Sequence, residues 1–285
     1  MLNRFKILIA SISLVSALPF GAYAADASAK TLLCDLQASL EKLSATKEQA
    51  DTKVESIEEF PAYKTLLGEI LDCSLLEVSS IKTKLSSLTD LSEKDSEIRD
   101  EFVLKLDDYS LYFEEASAQL EKSENIDELK KLAAQILNWR KEIYRESAKQ
   151  MTNFIFILQG KEAVRITDAR LKRISVGLLD AGLLFRRDVW KDFRVILNQA
   201  QEQITTASDL NNKAYALFLT ELEPKPEMTA TSTAAIAAPE EVSADLDEKE
   251  EPETIIDLLK ESLLNIKESY RLFGEISKIV RKISE

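Results

Sequence analysis

The chain has 285 residues, carries 37 basic against 50 acidic side chains for a net charge of −13, and contains no histidine. The missing imidazole excludes Ser-His-Asp and Cys-His catalysis, His-ligated zinc and the Glu-x-x-His di-iron sites of helical bundles. The acidic balance argues against nucleic acid as a partner, because it repels phosphates.

Arg4 and Lys6 open a short positive region, Ile7 to Phe20 is apolar, and Ala22-Tyr23-Ala24 puts small residues at both recognition positions of a cleavage site. The apolar run falls short of the roughly 20 residues needed to span a bilayer. Residues 1–24 therefore read as a bacterial-type signal peptide, and the mature chain is expected in the periplasm or outside the cell. No cysteine sits at the cleavage site, so a lipid anchor there is not expected.

From Ala62 to Glu223 there is no proline, and glycine occurs only as Gly68, Gly160, Gly177 and Gly182. Strand signals are missing, and apolar residues recur at three- and four-residue steps. The expected fold is all-α: an elongated bundle of five or six long amphipathic helices with coiled-coil-like packing over residues 25–222.

A first helix is predicted from Ser28 to Glu59, with Leu36, Leu40, Leu43, Ala50, Val54 and Ile57 on its seam. Pro61 suits the first turn of a second, reaching Leu88 through Leu67, Leu71, Ser74, Val78, Ile81 and Leu85. A third runs from Ser92 to Lys122 with Ile98, Phe102, Leu106, Tyr109, Phe113, Ala116 and Leu120 inward. Asn125 and Glu128 form a capping-box pattern for a fourth, whose inward residues include Leu129, Leu132, Ile136, Ile143, Phe154 and Leu158. Gly160 would end that helix and Thr167 or Asp168 would cap a fifth, kinked near Arg186–Asp188 and running to Leu222. Its later seam is Val189, Phe193, Ile196, Ala200, Ile204, Ala207, Ala214 and Leu217.

Residues 223–253 break the pattern with four prolines, small residues and a dense acidic tract, the composition of a disordered linker. Residues 254–285 return to a strongly amphipathic helix, with Ile255, Leu259, Leu263, Ile266, Tyr270, Phe273, Val280 and Ile283 on one face. Such a helix needs a groove. It either docks on its own bundle, binds another protein, or mediates self-association.

Cys34 and Cys73 are the only cysteines, and an oxidising compartment favours a disulfide between them. With a turn at Pro61, Cys34 lies 27 residues before it and Cys73 12 after. At about 1.5 Å per residue that separates them by roughly 20 Å. The bridge therefore needs a turn nearer residue 53 or a bent first helix; the alternative is two buried free thiols.

Charge is segmented: Ala25–Leu129 carries 11 bases and 25 acids, Lys130–Arg194 carries 15 and 7, and Val195–Glu285 carries 9 and 18. The basic middle either complements acidic helices beside it or forms a patch for an anionic lipid surface or acidic partner.

Residues 174–190, ISVGLLDAGLLFRRDVW, and Phe154–Leu158 are apolar nearly all round. They read as a helix buried on two sides, or as a shallow membrane-inserting hairpin closed across Gly160–Thr167. On the buried reading Asp180 has no charge partner on its own helix, and Arg140 or Arg145 is expected to meet it.

Catalytic patterns are thin. Ser44–Lys47 and Ser79–Lys82 match S-x-x-K without its companion motifs. Glu114–Glu115 and Asp107–Asp108 diverge by about 100° on a helix. Asp245–Glu253 lacks the glycine and closing glutamate of a calcium loop. No metal, cofactor or enzymatic activity is expected. The expected function is a non-enzymatic interaction or scaffold protein that works through helix faces; the alternative is a membrane-active, lipid-binding bundle.

Overall fold

The computed structural model describes residues 59–182, 187–223 and 254–284, and every regular element among them is helical. The expected signal peptide, the helix predicted over residues 28–59 except Glu59, and residues 224–253 of the expected linker lie outside the described residues. We label the helices α1 (Glu59–Ser86), α2 (Glu93–Lys122), α3 (Ile126–Trp139), α4 (Arg145–Gly182), α5 (Arg187–Leu222) and α6 (Ile255–Ser284). A π-helical turn, Arg140–Tyr144, joins α3 to α4, so the chain stays helical from Ile126 to Gly182.

Local chemistry sets the helix starts. The Ser92 hydroxyl accepts from the Asp95 amide at 3.1 Å and caps α2. Asn125 Oδ1 accepts from the Glu128 amide at 3.0 Å, and Glu128 reaches back to accept from the Glu124 amide at 2.9 Å. Thr254 caps α6 by accepting from the Asp257 amide at 3.2 Å. Between α1 and α2, Asp90 takes a left-handed conformation, φ 54°, which a short polar side chain tolerates.

The seams of α1 and α2 match the sequence pattern: from Leu67 to Leu85 and from Phe102 to Leu120 the expected positions are buried, while Leu88 and Ile98 are half-buried. On α3 the pattern holds through Ile136 and then slips. Tyr144 is buried in place of Ile143, which is half-exposed, because the π turn adds one residue to the repeat. From there Ala148, Met151 and Ile155 face inward in the shifted phase, while Phe154 and Leu158 are buried as expected.

Three sequence-based expectations are corrected here. Gly160 does not end a helix; the helix runs through it, because Asn211 of α5 packs onto its backbone. A Cβ at position 160 would lie 2.2 Å from Asn211 Nδ2, which donates to the Ile157 carbonyl at 3.2 Å. Thr167 is not a cap either: it is buried, and its hydroxyl donates back to the Ala163 carbonyl at 2.7 Å. The expected single kinked helix is two helices, α4 and α5, that pack on one another in opposite directions. Leu178 shares a core with Phe193, while Ile157 meets Asn211.

The interior falls into two cores strung along α4, α5 and α6. The first gathers α1, α2, α3, the start of α4, the end of α5 and the start of α6 around Phe102, Phe113, Tyr144, Phe154 and Phe218. The second is a three-helix end built from Leu171, Ile174 and Leu178 of α4, Phe193 and Ile204 of α5, and Phe273, Ile276 and Val280 of α6. Residues Phe154, Ile155, Ile157 and Leu158 are buried, as befits a helix covered by α1, α5 and α6.

α5 and α6 make the most extensive pairing in the molecule. Ala200, Ala207 and Ala214 are fully buried at seven-residue spacing on α5, and α6 presents the buried Ser262 and Ser269. Small residues let helix axes approach closely, and Ser262 Oγ donates to the Ala207 carbonyl at 2.8 Å. Ala207→Leu is expected to pry this pair apart and cost about 1–3 kcal/mol, read as a lower urea midpoint.

Candidate functional site

The residues singled out in the sequence part company in the structure. Cys73, half-buried on α1, is disulfide-bonded; Cys34 lies outside the described residues. Asp180 is exposed on α4 and does not meet Arg140 or Arg145. The expected buried pair is therefore replaced by another. Arg140 donates to Ser74 Oγ at 2.5 Å and to Glu77 at 3.1 Å, with its guanidinium over the Tyr144 ring at 5.0 Å. Arg145 is exposed. Asp180 escapes burial because α4 is covered on one side only at this point. Ile174 and Leu178 face the core, while Val176 and Leu179 are 57% and 61% exposed.

Of the face expected on α6, Ile255, Leu259, Ile266, Phe273 and Val280 are buried, Tyr270 is half-buried, and Leu263 and Ile283 are exposed. The true seam alternates four- and three-residue steps through Ser262, Ser269 and Ile276. A hydrophobic count steps over the two serines to Leu263 and Tyr270. α6 is thus seated in its own bundle, and its buried face is not on offer to a partner.

Two buried polar knots hold the bundle. Tyr144 lies beside Glu77, with its hydroxyl buried and unpartnered among the described residues; burial, then the Glu77 charge, pushes its phenol well above the usual range. Tyr215 of α5 donates to Asp95 Oδ1 at 2.6 Å, while Ser92 donates to the other oxygen at 2.7 Å. Burial and that hydrogen bond push the Tyr215 phenol up, and Lys161, whose ammonium sits 3.5 Å from the Tyr215 ring centre, is pushed down by desolvation. These groups tie α2, α4 and α5 together.

Three surface features remain. On the outer side of α2, Leu104 and Leu111 are 67% and 55% exposed and seven residues apart. Paired acids flank them at Asp100–Glu101, Asp107–Asp108 and Glu114–Glu115, also seven apart. At 100° per residue these acids lie on both sides of a leucine ridge. Lys82 of α1 pairs with Asp107 and Lys105 with Glu101 at 2.7 Å, while Asp108, Glu114 and Glu115 have no ion-pair partner among the described residues.

The three-helix end has the opposite character. Residues 171–182, 189–204 and 270–284 together hold eight bases and four acids, whereas residues 59–122 hold seven bases and 15 acids. The exposed Val176, Leu179 and Val195 stand among Lys172, Arg173, Lys191 and Arg194.

The third feature is a groove of about 420 Å³ between α2 and α3. Ala116 and Leu132 form its floor. Tyr112 and Trp139, stacked at 3.9 Å and 13°, stand with Glu115, Gln119, Gln135 and Asn138 around it.

Among the described residues no helix is long and apolar enough to cross a membrane, and no cluster of three acidic or cysteine side chains could hold a metal ion. No family model, curated protein or solved structure matches this chain.

The raised phenols of Tyr144 and Tyr215 give a pH signature. The folded chain keeps protons that an unfolded chain releases near pH ~10, so this part of the stability is present below about pH 10 and lost as pH rises beyond it. The urea midpoint is expected to fall between about pH 9 and about pH 11, with a shallower fall in Tyr144→Phe and Tyr215→Phe. Equal slopes in all three proteins would remove these phenols as the cause.

Proposed function

We propose that this chain is an exported, non-enzymatic interaction protein: a stiff helical rod that offers the outer side of α2 to a basic, amphipathic helix of a protein partner. The observation that carries this reading is the exposed Leu104–Leu111 ridge flanked by acid pairs at the same seven-residue repeat. Leucines at that spacing match the anchors of a docked helix, and the flanking acids select a basic one and speed its approach. The seating of α6 in its own bundle supports a rod over a mobile capture arm.

Photocrosslinking from position 108 of the full chain, in cells that export it, tests the reading. A specific adduct is expected, and Leu104→Ser with Leu111→Ser should reduce it about tenfold with an unchanged melting temperature. An adduct that survives both substitutions counts against the ridge. A second copy of this chain in the adduct would identify self-association as the use of the same face.

The basic three-helix end favours a second reading, attachment to an anionic lipid surface. Attachment would be peripheral: Phe154–Leu158 and the described part of residues 176–185 lie on one continuous helix and so do not close into an inserting hairpin. The protein is expected to co-sediment with vesicles rich in phosphatidylglycerol at low salt, and Lys172→Glu with Arg173→Glu should weaken that at least about fivefold. Equal sedimentation with purely zwitterionic vesicles would sink it.

A further inference from the structure

We infer that the groove between α2 and α3 is a carbohydrate site, one that stacks the flat face of a neutral pyranose on Tyr112 and holds its hydroxyls with a ring of side-chain amides. The groove adjoins the leucine ridge on α2 and shares Glu115 with the acids that flank it, while neither Leu104 nor Leu111 lines it.

An ordered stack of aromatic rings leads to the groove. Tyr144 is buried in the first core, Trp139 lies parallel to it at 6.1 Å, and Tyr112 lies on Trp139 at 3.9 Å. Phe113 and Tyr109 press edge-on against Trp139 at 5.3 Å each. The stack ends at Tyr112, half-buried, which lies parallel to Trp139 and to no other ring among the described residues. A ligand ring laid on the other face adds the next layer.

The π turn is what makes this end of the stack. It begins at Arg140, directly after Trp139, and its extra residue turns Tyr144 inward beneath the indole. Such turns are costly and recur at functional sites. Here the turn is pinned from outside by Arg140, which spans Ser74 and Glu77 of α1 and lies over Tyr144.

The polar lining names the ligand class. Gln119, Gln135 and Asn138 each supply a donor and an acceptor in one plane, which suits a hydroxyl that must donate and accept together. None of the three amides bonds another side chain among the described residues, and Glu115 adds a carboxylate acceptor. No lysine or arginine lines the groove, so it offers a phosphate or sulfate nothing. An apolar helix would leave the amides unpaired at a cost. The Tyr112 hydroxyl adds a neutral donor, as a phenol is at ordinary pH, and burial raises its pKa further. A neutral ring with one apolar face and many hydroxyls meets each of these conditions.

The chain has two tryptophans, so Trp190→Phe leaves Trp139 as the only indole, next to the groove. The full chain carrying that change would be titrated with three neutral tetrasaccharides: β-1,4-linked glucose, β-1,4-linked N-acetylglucosamine and α-1,4-linked glucose. A saturable shift in Trp139 emission is expected for at least one. Tyr112→Ala should weaken it about tenfold and Tyr112→Phe by about twofold or less. Gln135→Leu with Asn138→Leu should weaken it about tenfold. Tyr112→Phe and the Gln135→Leu with Asn138→Leu variant should keep the parent's melting temperature, so their effects read the site alone, and Leu104→Ser with Leu111→Ser should leave the titration unchanged. No saturable shift up to about 10 mM of any of the three overturns the proposal. So does a shift that Tyr112→Ala leaves intact, or a response confined to a proline-rich peptide probe.

Discussion

Both cores close only when α6 lies along α5, and that contact depends on small side chains. Ala200, Ala207 and Ala214 on one helix and Ser262 and Ser269 on the other let the backbones approach until Ser262 bonds the Ala207 carbonyl. Larger residues at those positions would hold α6 away from both clusters. Ile255, Leu258 and Leu259 would leave the first core and Leu272, Phe273, Ile276 and Val280 the second. The register of α6 is set by this interface.

A second constraint is the unbroken helix from Ile126 to Gly182. Along its length it passes from one core to the other, so the two ends of the molecule are mechanically one piece. Asn211 adds a polar clamp where α5 crosses it, with Nδ2 bonded to the Ile157 carbonyl and Oδ1 buried without a partner among the described residues. A buried amide of this kind fixes helix register more than it adds stability. It ties the register of α5 to that of α4, and α5 in turn sets α6.

How much of this was legible in the sequence depends on whether a feature follows from periodicity. The α1 and α2 seams do, and so does the Asn125 capping box, because each rests on spacing alone. The π turn does not: one added residue moves the inward position from Ile143 to Tyr144, and nothing in the local composition marks it. Gly160 was misread because a glycine that ends a helix and one that admits Asn211 look alike in one dimension. The α6 seam was shifted at Ser262 and Ser269 because hydrophobicity identifies what fills a core, while close approach is governed by what leaves room. Asp180 looked buried because its neighbours are apolar, yet Val176 and Leu179 face outward with it. The groove left least trace, since Gln119, Gln135 and Asn138 resemble any exposed helix residues until Tyr112 and Trp139 are stacked beside them.

The connection between α5 and α6 is far longer than an antiparallel helix pair requires, since such turns commonly take about 2–8 residues. Covalent attachment keeps a docking element at an effective concentration of about millimolar order. A single backbone cut between Leu222 and Ile255 would leave every contact of α6 in place and change only the law that governs it. Docking would become bimolecular, and the integrity of both cores would then depend on how dilute the protein is.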